Sequence, residues 1–197
     1  MKKLLLLLLT ALVMAACSFS PAVNTQPAAP EIDISNLATL SENYILPVIF
    51  LRGATQESWS NAEELLPDNF ITMYGYSAVW SANIPESEIE NENEIPYYYE
   101  DANKLEDYVQ HYFDVSTEHL RKATEYSPER NAYRFNMSGV GFVYDPQVLR
   151  AEYDNATGEL LLHIDSGYEE TRSGEAATLT IKIDDNGFTY VGNVRHE

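Results

Sequence analysis

Five glutamates stand at every second position from Glu86 to Glu94, separated by Ser87, Ile89, Asn91 and Asn93. In an extended segment alternate side chains leave the backbone the same way, so Glu86, Glu88, Glu90, Glu92 and Glu94 would form one row of carboxylates able to collect cations such as calcium weakly. The row lacks the spaced oxygen ligands and the turn glycine of a tight calcium loop. The plainer reading is a solvated acidic loop between two helices. Directly after it come Tyr97, Tyr98 and Tyr99, three of the chain's 14 tyrosines. Consecutive residues cannot all face one core, so at least one ring is expected to be exposed or to line a groove, where it suits carbohydrate stacking or a protein interface. The alternative places the three rings at the core's edge with their hydroxyls in water.

Other residue types capable of chemistry are scattered. Asp165-Ser166-Gly167 follows an apolar stretch and resembles the catalytic turn of retroviral-type aspartic proteases. That chemistry needs two such carboxylates sharing a proton, and the sequence contains no second copy, so the segment reads as a strand running into a polar turn. The four histidines, His111, His119, His163 and His196, have no metal-ligand spacing, and Gly75-Tyr76-Ser77-Ala78-Val79 lacks the last glycine of a serine-nucleophile elbow. Asp154-Asn155-Ala156-Thr157-Gly158 and Asp184-Asp185-Asn186-Gly187 look like cation loops, but tight turns require these same residue types. No metal and no cofactor is therefore expected, and a catalytic set could arise only from groups that meet in three dimensions.

Helices dominate the first part of the pattern that must position these residues. The apolar stretch Leu37 to Arg52 contains Pro47, which removes a backbone donor, so a helix is expected to stop or kink there; a buried strand from Tyr44 to Leu51 is the alternative. Ser60 and Glu63 have capping-box spacing, predicting a short helix that Pro67 ends. Asp68 is placed to cap a second helix with Phe70, Met73, Tyr74, Ser77 and Trp80 on one face. Asp101 is placed to cap a third, in which Leu105, Tyr108, Val109, Tyr112 and Phe113 follow the helical period.

After Ser127-Pro128-Glu129-Arg130 the period changes to two. Tyr133 and Phe135 begin a strand. Leu149, Ala151 and Tyr153 alternate with Arg150 and Glu152, and Leu160, Leu162 and Ile164 return after the turn at Asp154 to Gly158. Leu179, Ile181 and Ile183 alternate with polar residues, and Asn186-Gly187 supplies a two-residue hairpin leading back through Tyr190 and Val194. The expected fold is α+β, with N-terminal helices packed on one face of a C-terminal four- or five-stranded antiparallel meander.

Two lysines, Lys2 and Lys3, precede six leucines and then Met14-Ala15-Ala16-Cys17. The charged, apolar and small-residue regions in this order form a secretory signal, and the apolar run is too short to span a bilayer as a helix. Ala15-Ala16 before the chain's single cysteine resembles the lipobox of bacterial lipoproteins, although Met14 stands where leucine is usual. The resemblance implies removal of residues 1–16 and lipidation of Cys17. Residues 17–35 then form a lipidated tether, since Ser18 to Pro30 has too little apolar content to fold, and residues 36–197 form one domain. Its layout resembles that of small uncharacterised bacterial lipoprotein domains.

Twelve lysines and arginines against 31 acidic residues give a net charge of −19, which becomes −21 when Lys2 and Lys3 are lost. Such a surface repels phosphate backbones and excludes nucleic acid as a partner. With Cys17 lipidated, no thiol remains for a disulfide, a nucleophile or a metal site. The expectation is a membrane-anchored extracytoplasmic domain, non-catalytic, binding a protein, peptide or glycan through its helical layer or the segment around Tyr97 to Tyr99. A cell-surface hydrolase with a site assembled only in space is the alternative.

Overall fold

A computed structural model describes residues 32–80, 82–138, 144–168 and 174–196. The expected signal segment 1–16, Cys17 and the expected linker from Ser18 to Pro30 lie outside the described residues. Ile32 already packs against the core. Among the described residues no helix is long and apolar enough to cross a membrane.

The helical half begins with α1, Leu37–Leu40, capped by the Asn36 side chain. The helix then loosens into a π-helical turn at Ser41–Ile45 and tightens into a 3-10 turn at Leu46–Val48. Pro47 lies in that tight turn, so the chain stays helical but changes register there, and the buried-strand alternative falls. Short helix α2, Arg52–Gln56, follows.

The predicted capping box is used differently. Asn61, not Ser60, caps a single 3-10 turn at Ala62–Glu64, while Ser60 Oγ donates to Glu64 at 2.9 Å. Pro67 opens the next helix instead of closing the previous one, because its missing N–H costs nothing in a first turn. Helix α3, Pro67–Tyr74, runs on through a π-helical turn at Gly75–Val79 and buries Phe70, Met73 and Tyr74. Asp68 faces away from the helix start and accepts from the Thr124 hydroxyl at 2.6 Å and its backbone amide at 2.9 Å. Helix α4, Ala102–Tyr112, matches expectation: Asp101 accepts from the Asn103 amide, and Leu105 and Val109 are fully buried. One turn, α5, Thr117–Leu120, completes the helices.

The α+β layout has two sheets where a single meander was expected. Strands β1, Ile89–Glu92, and β2, Ile95–Asp101, form a hairpin inside the helical half. They join β3, Tyr126–Ser127, and β4, Ala132–Asn136, in the antiparallel order β1-β2-β4-β3. Tyr133 and Phe135 thus belong to this first sheet and not to the meander. The acidic segment is no loop between helices, because Ile89 and the partly covered Glu92 hold it to β2. Its turn, Asn93 and Glu94, has positive φ at both positions.

The second sheet is the expected meander, β5-β6-β7-β8, built from Val148–Asp154, Glu159–Ile164, Ala177–Asp184 and Gly187–Arg195. Leu160, Leu162, Ile164, Leu179, Ile181 and Tyr190 point into one core shared with the helices and with Phe135 and Tyr133. Each such aliphatic side chain contributes roughly 1.5–3 kcal/mol by leaving water.

Two register shifts alter the expected alternation. One between Val148 and Arg150 turns Val148 inward and leaves Leu149 exposed. Another opposite Thr180 and Ile181 makes Val191 an extra residue, so Asn193 faces inward and Val194 outward. The β7–β8 loop is Asp185–Asn186, one residue earlier than Asn186–Gly187, with the positive φ falling on Gly187.

Candidate functional site

The carboxylate row is divided by the fold. Glu86 and Glu88 lie in a 3-10 turn, Glu94 lies in the hairpin turn, and Glu90 and Glu92 share one face of β1. Arginines meet that pair. Arg130 forks onto Glu90 at 2.6 and 2.9 Å, and Arg134 reaches Glu92 at 3.2 Å and Glu125 at 2.7 Å. The hydrogen bonds from Arg130 hold the Glu90 carboxyl below its ordinary pKa.

The same guanidinium groups cover two of the three tyrosines. Arg130 lies 4.0 Å from the centroid of the Tyr99 ring and Arg134 lies 4.4 Å from that of Tyr97. Strand alternation puts these two rings on one face and turns Tyr98 to the other, where it packs against the core. Tyr99 donates to Glu92 at 2.5 Å and borders a hollow of about 260 Å³ with Tyr126 and Arg134. All three rings are half-buried, between the two arrangements the sequence allowed.

A larger cavity, about 290 Å³, opens at one end of the second sheet. Helix α2 supplies Thr55 and Gln56, the turn after β6 supplies Asp165 and Tyr168, β8 supplies Arg195, and Tyr144 closes the floor. Tyr144 is buried and donates to the Thr55 hydroxyl at 2.8 Å; burial raises its pKa above the ordinary phenol value. Tyr168 is 44% exposed, accepts from the Gln56 amide at 3.2 Å, and holds its ring 5.2 Å from that of Tyr144. The Arg195 guanidinium donates to the Gln56 carbonyl at 3.3 Å.

Asp165 belongs to this cavity without being arranged as an aspartic-protease carboxylate. Its Oδ1 accepts from the Gln147 amide at 3.0 Å and the Gly167 amide at 2.9 Å, fixing the turn that presents Tyr168. Among the described residues it is the cavity's one carboxylate. The turn is locked from the other side by the Asp145 amide, which donates to the Gly167 carbonyl at 2.9 Å. That bond brings Tyr144 beside Tyr168. The sequence signal was present in Asp165-Ser166-Gly167, but its role is to hold an aromatic wall.

The histidines separate into two kinds. His119 is a core residue, with Nε2 2.8 Å from the Leu65 carbonyl oxygen, and His111 stacks edge-on against Tyr112. His163 and His196, which carry no ligand spacing in the sequence, are brought together with Glu175 on the second sheet. One donor atom from each lies within 4.8 Å of the others, making a set able to hold a metal ion. The hydrogen bond from His163 lowers the Glu175 carboxyl pKa.

No curated protein and no solved structure matches the chain. A family model described as "Family of unknown function (DUF6070)" matches residues 33–196, spanning the five helices and both sheets described above, and the chain belongs to that family.

Proposed function

We propose that this protein is a lipid-anchored extracytoplasmic domain of a bacterial membrane that binds a glycan or peptide without catalysis, through the cavity between Tyr144 and Tyr168. The lipobox-like Met14-Ala15-Ala16-Cys17 supports the anchor. The observation that carries the binding reading is the cavity's lining: a half-exposed Tyr168 ring beside an amide, a guanidinium and hydroxyls, on walls fixed by hydrogen bonds. Sugar rings and peptide ends are recognised by such a combination of an aromatic face and a few fixed polar groups. A volume near 290 Å³ suits one sugar ring or one side chain.

The hydrolase alternative has less support. Asp165 Oδ1 is taken up by the backbone amides of Gln147 and Gly167, a turn-fixing arrangement. The reading moves the contact surface from Tyr97 to Tyr99, whose outward rings lie under arginines, to Tyr168.

The test uses the full-length protein in detergent. Mass analysis of its N-terminal peptide should find lipid on Cys17, and Cys17→Ser should release the protein from membranes. Melting should be followed with cell-wall fragments and oligosaccharides. A ligand at a hundred times its dissociation constant adds about 2.7 kcal/mol, and Tyr168→Ala should remove the shift. A ligand shift that survives Tyr168→Ala would place binding elsewhere.

A further inference from the structure

On the outer face of the second sheet four side chains gather, with the ligand atoms of His163, Glu175 and His196 within 4.8 Å of one another. Glu175 Oε1 lies 2.6 Å from His163 Nδ1 and 3.2 Å from His196 Nε2. Thr178 Oγ1 lies 3.0 Å from the first nitrogen, 2.8 Å from the second and 3.4 Å from the same carboxylate oxygen. We infer that His163, Glu175 and His196 form a binding site for a divalent transition-metal ion of the zinc class, with Thr178 Oγ1 at the fourth corner.

Geometry is the first support. Four ligands at 2.0–2.1 Å around a tetrahedral ion stand about 3.3 Å apart, so the five separations of 2.6–3.4 Å need only small adjustments, and the two imidazole nitrogens, within 4.8 Å, must close onto the ion by turning the exposed His196 ring. The backbones are already fixed: His163 and Thr178 are paired across β6 and β7, and the His196 amide donates to the Ala176 carbonyl at 2.8 Å. Two imidazoles and one carboxylate, with no thiolate, favour zinc over calcium or magnesium, which take oxygen ligands.

The second support is His163 itself. It is 7% exposed, and its Nε2 is buried with no hydrogen-bond partner. Its Nδ1 is crowded, with Glu175 Oε1 asking for a proton and Arg150 Nη2, at 3.2 Å, offering one. A metal on Nδ1 resolves both conflicts. It places the ring proton on Nε2, and the exposed Glu152, whose Oε1 lies 3.3 Å away, needs only to reorient to accept it. A carboxylate behind a metal-bound histidine is the usual arrangement for orienting the ring.

Arg150 is the competitor. Its guanidinium stands against His163 Nδ1 and, at 3.4 Å, against Glu175, so a cation already occupies the approach. Its other arm is paired with Glu152, and its side chain is 53% exposed, so it can swing aside while keeping that partner. The site is independent of the Tyr144–Tyr168 cavity reading.

The test titrates Zn²⁺ alone into untagged full-length protein in detergent, with Co²⁺ as a spectroscopic probe. The expected result is one ion per chain and a four-coordinate Co²⁺ absorption spectrum. Affinity should fall at least about 100-fold in His196→Ala and in Glu175→Gln, and rise about tenfold in Arg150→Gln, whose guanidinium no longer competes. His196 and Glu175 are exposed, so their replacement spares the core, whereas His163→Ala also tests folding. Absence of stoichiometric binding, or binding unchanged in both His196→Ala and Glu175→Gln, overturns the inference; so does a six-coordinate Co²⁺ spectrum.

Discussion

Arg121 grips Glu106 side-on, with Nε 2.7 Å from one carboxylate oxygen and Nη2 3.1 Å from the other, and the Tyr133 hydroxyl donates to the first oxygen at 3.1 Å. Glu106 is 4% exposed, so this buried charge persists only because its oxygens are satisfied. Tyr133→Phe removes one donor from a fully buried position without opening a cavity. The expected cost is about 1–2 kcal/mol, read as a lower urea midpoint at unchanged denaturant slope. An unchanged midpoint would mean that Arg121 alone satisfies the carboxylate.

The buried phenols set the alkaline limit. Burial, reinforced by Glu100 and Glu106 respectively, holds the Tyr74 and Tyr133 hydroxyls well above their ordinary pKa, and burial does the same for Tyr190. A folded pKa raised above the unfolded value of about 10 stabilises the fold below that pH, and this stability is lost as pH rises through the folded values. Urea midpoints should therefore begin to fall at about pH 10 and keep falling as pH rises further, less so in Tyr133→Phe. Equal slopes in the two proteins would remove Tyr133 from the account.

Gly167 has φ +71°, and a Cβ built on it would lie 2.3 Å from the Tyr144 ring. Gly167→Ala must push that ring into the cavity floor and accept a left-handed backbone, together costing about 2 kcal/mol or more. Melting temperature and ligand response should fall together. A variant with lower stability and intact ligand response would show that the floor does not shape the cavity.

Calcium should leave the protein unaffected. Glu90 and Glu92, the carboxylates of the acidic row that share a strand face, are paired with Arg130 and Arg134. Melting should be the same in calcium and in chelator, and replacing Glu88, Glu90 and Glu92 together by Gln should not alter that. A calcium-induced rise that the triple replacement abolishes would mean the ion displaces the guanidinium groups.

What the sequence revealed depended on how local the controlling interaction was. Helix α4 and strand β7 were readable because Asp101 caps an amide two residues away and Leu179, Ile181 and Ile183 need only the pleat to face inward. The β1–β2 hairpin was not, because its turn is Asn93-Glu94, with a glutamate where glycine normally marks a positive φ. Leu149 and Val194 were assigned to the core and came out exposed, since a β-bulge changes parity and leaves no residue-type signature. The cavity and the histidine cluster were hidden for a further reason. Tyr144 meets Tyr168, and His163 meets His196, through pairings of strands and turns far apart in the chain.

Strand β8 ties down what precedes it by more than a hundred residues. Trp59 exchanges both backbone hydrogen bonds with Asn193 at 2.9 Å, the Asn193 amide donates to the Glu57 carbonyl at 2.7 Å, and the Tyr190 hydroxyl donates to the Tyr44 carbonyl at 2.7 Å. Each of these closures spends the entropy of a very long loop before it returns any contact energy, the topology that makes folding slow. Synthesis delivers β8 after every element it joins, so a growing chain holds an open sheet edge and an uncovered Phe113 and Trp59 until that strand emerges. The fold is thus closed by a late clasp, a meeting of two segments made far apart in time.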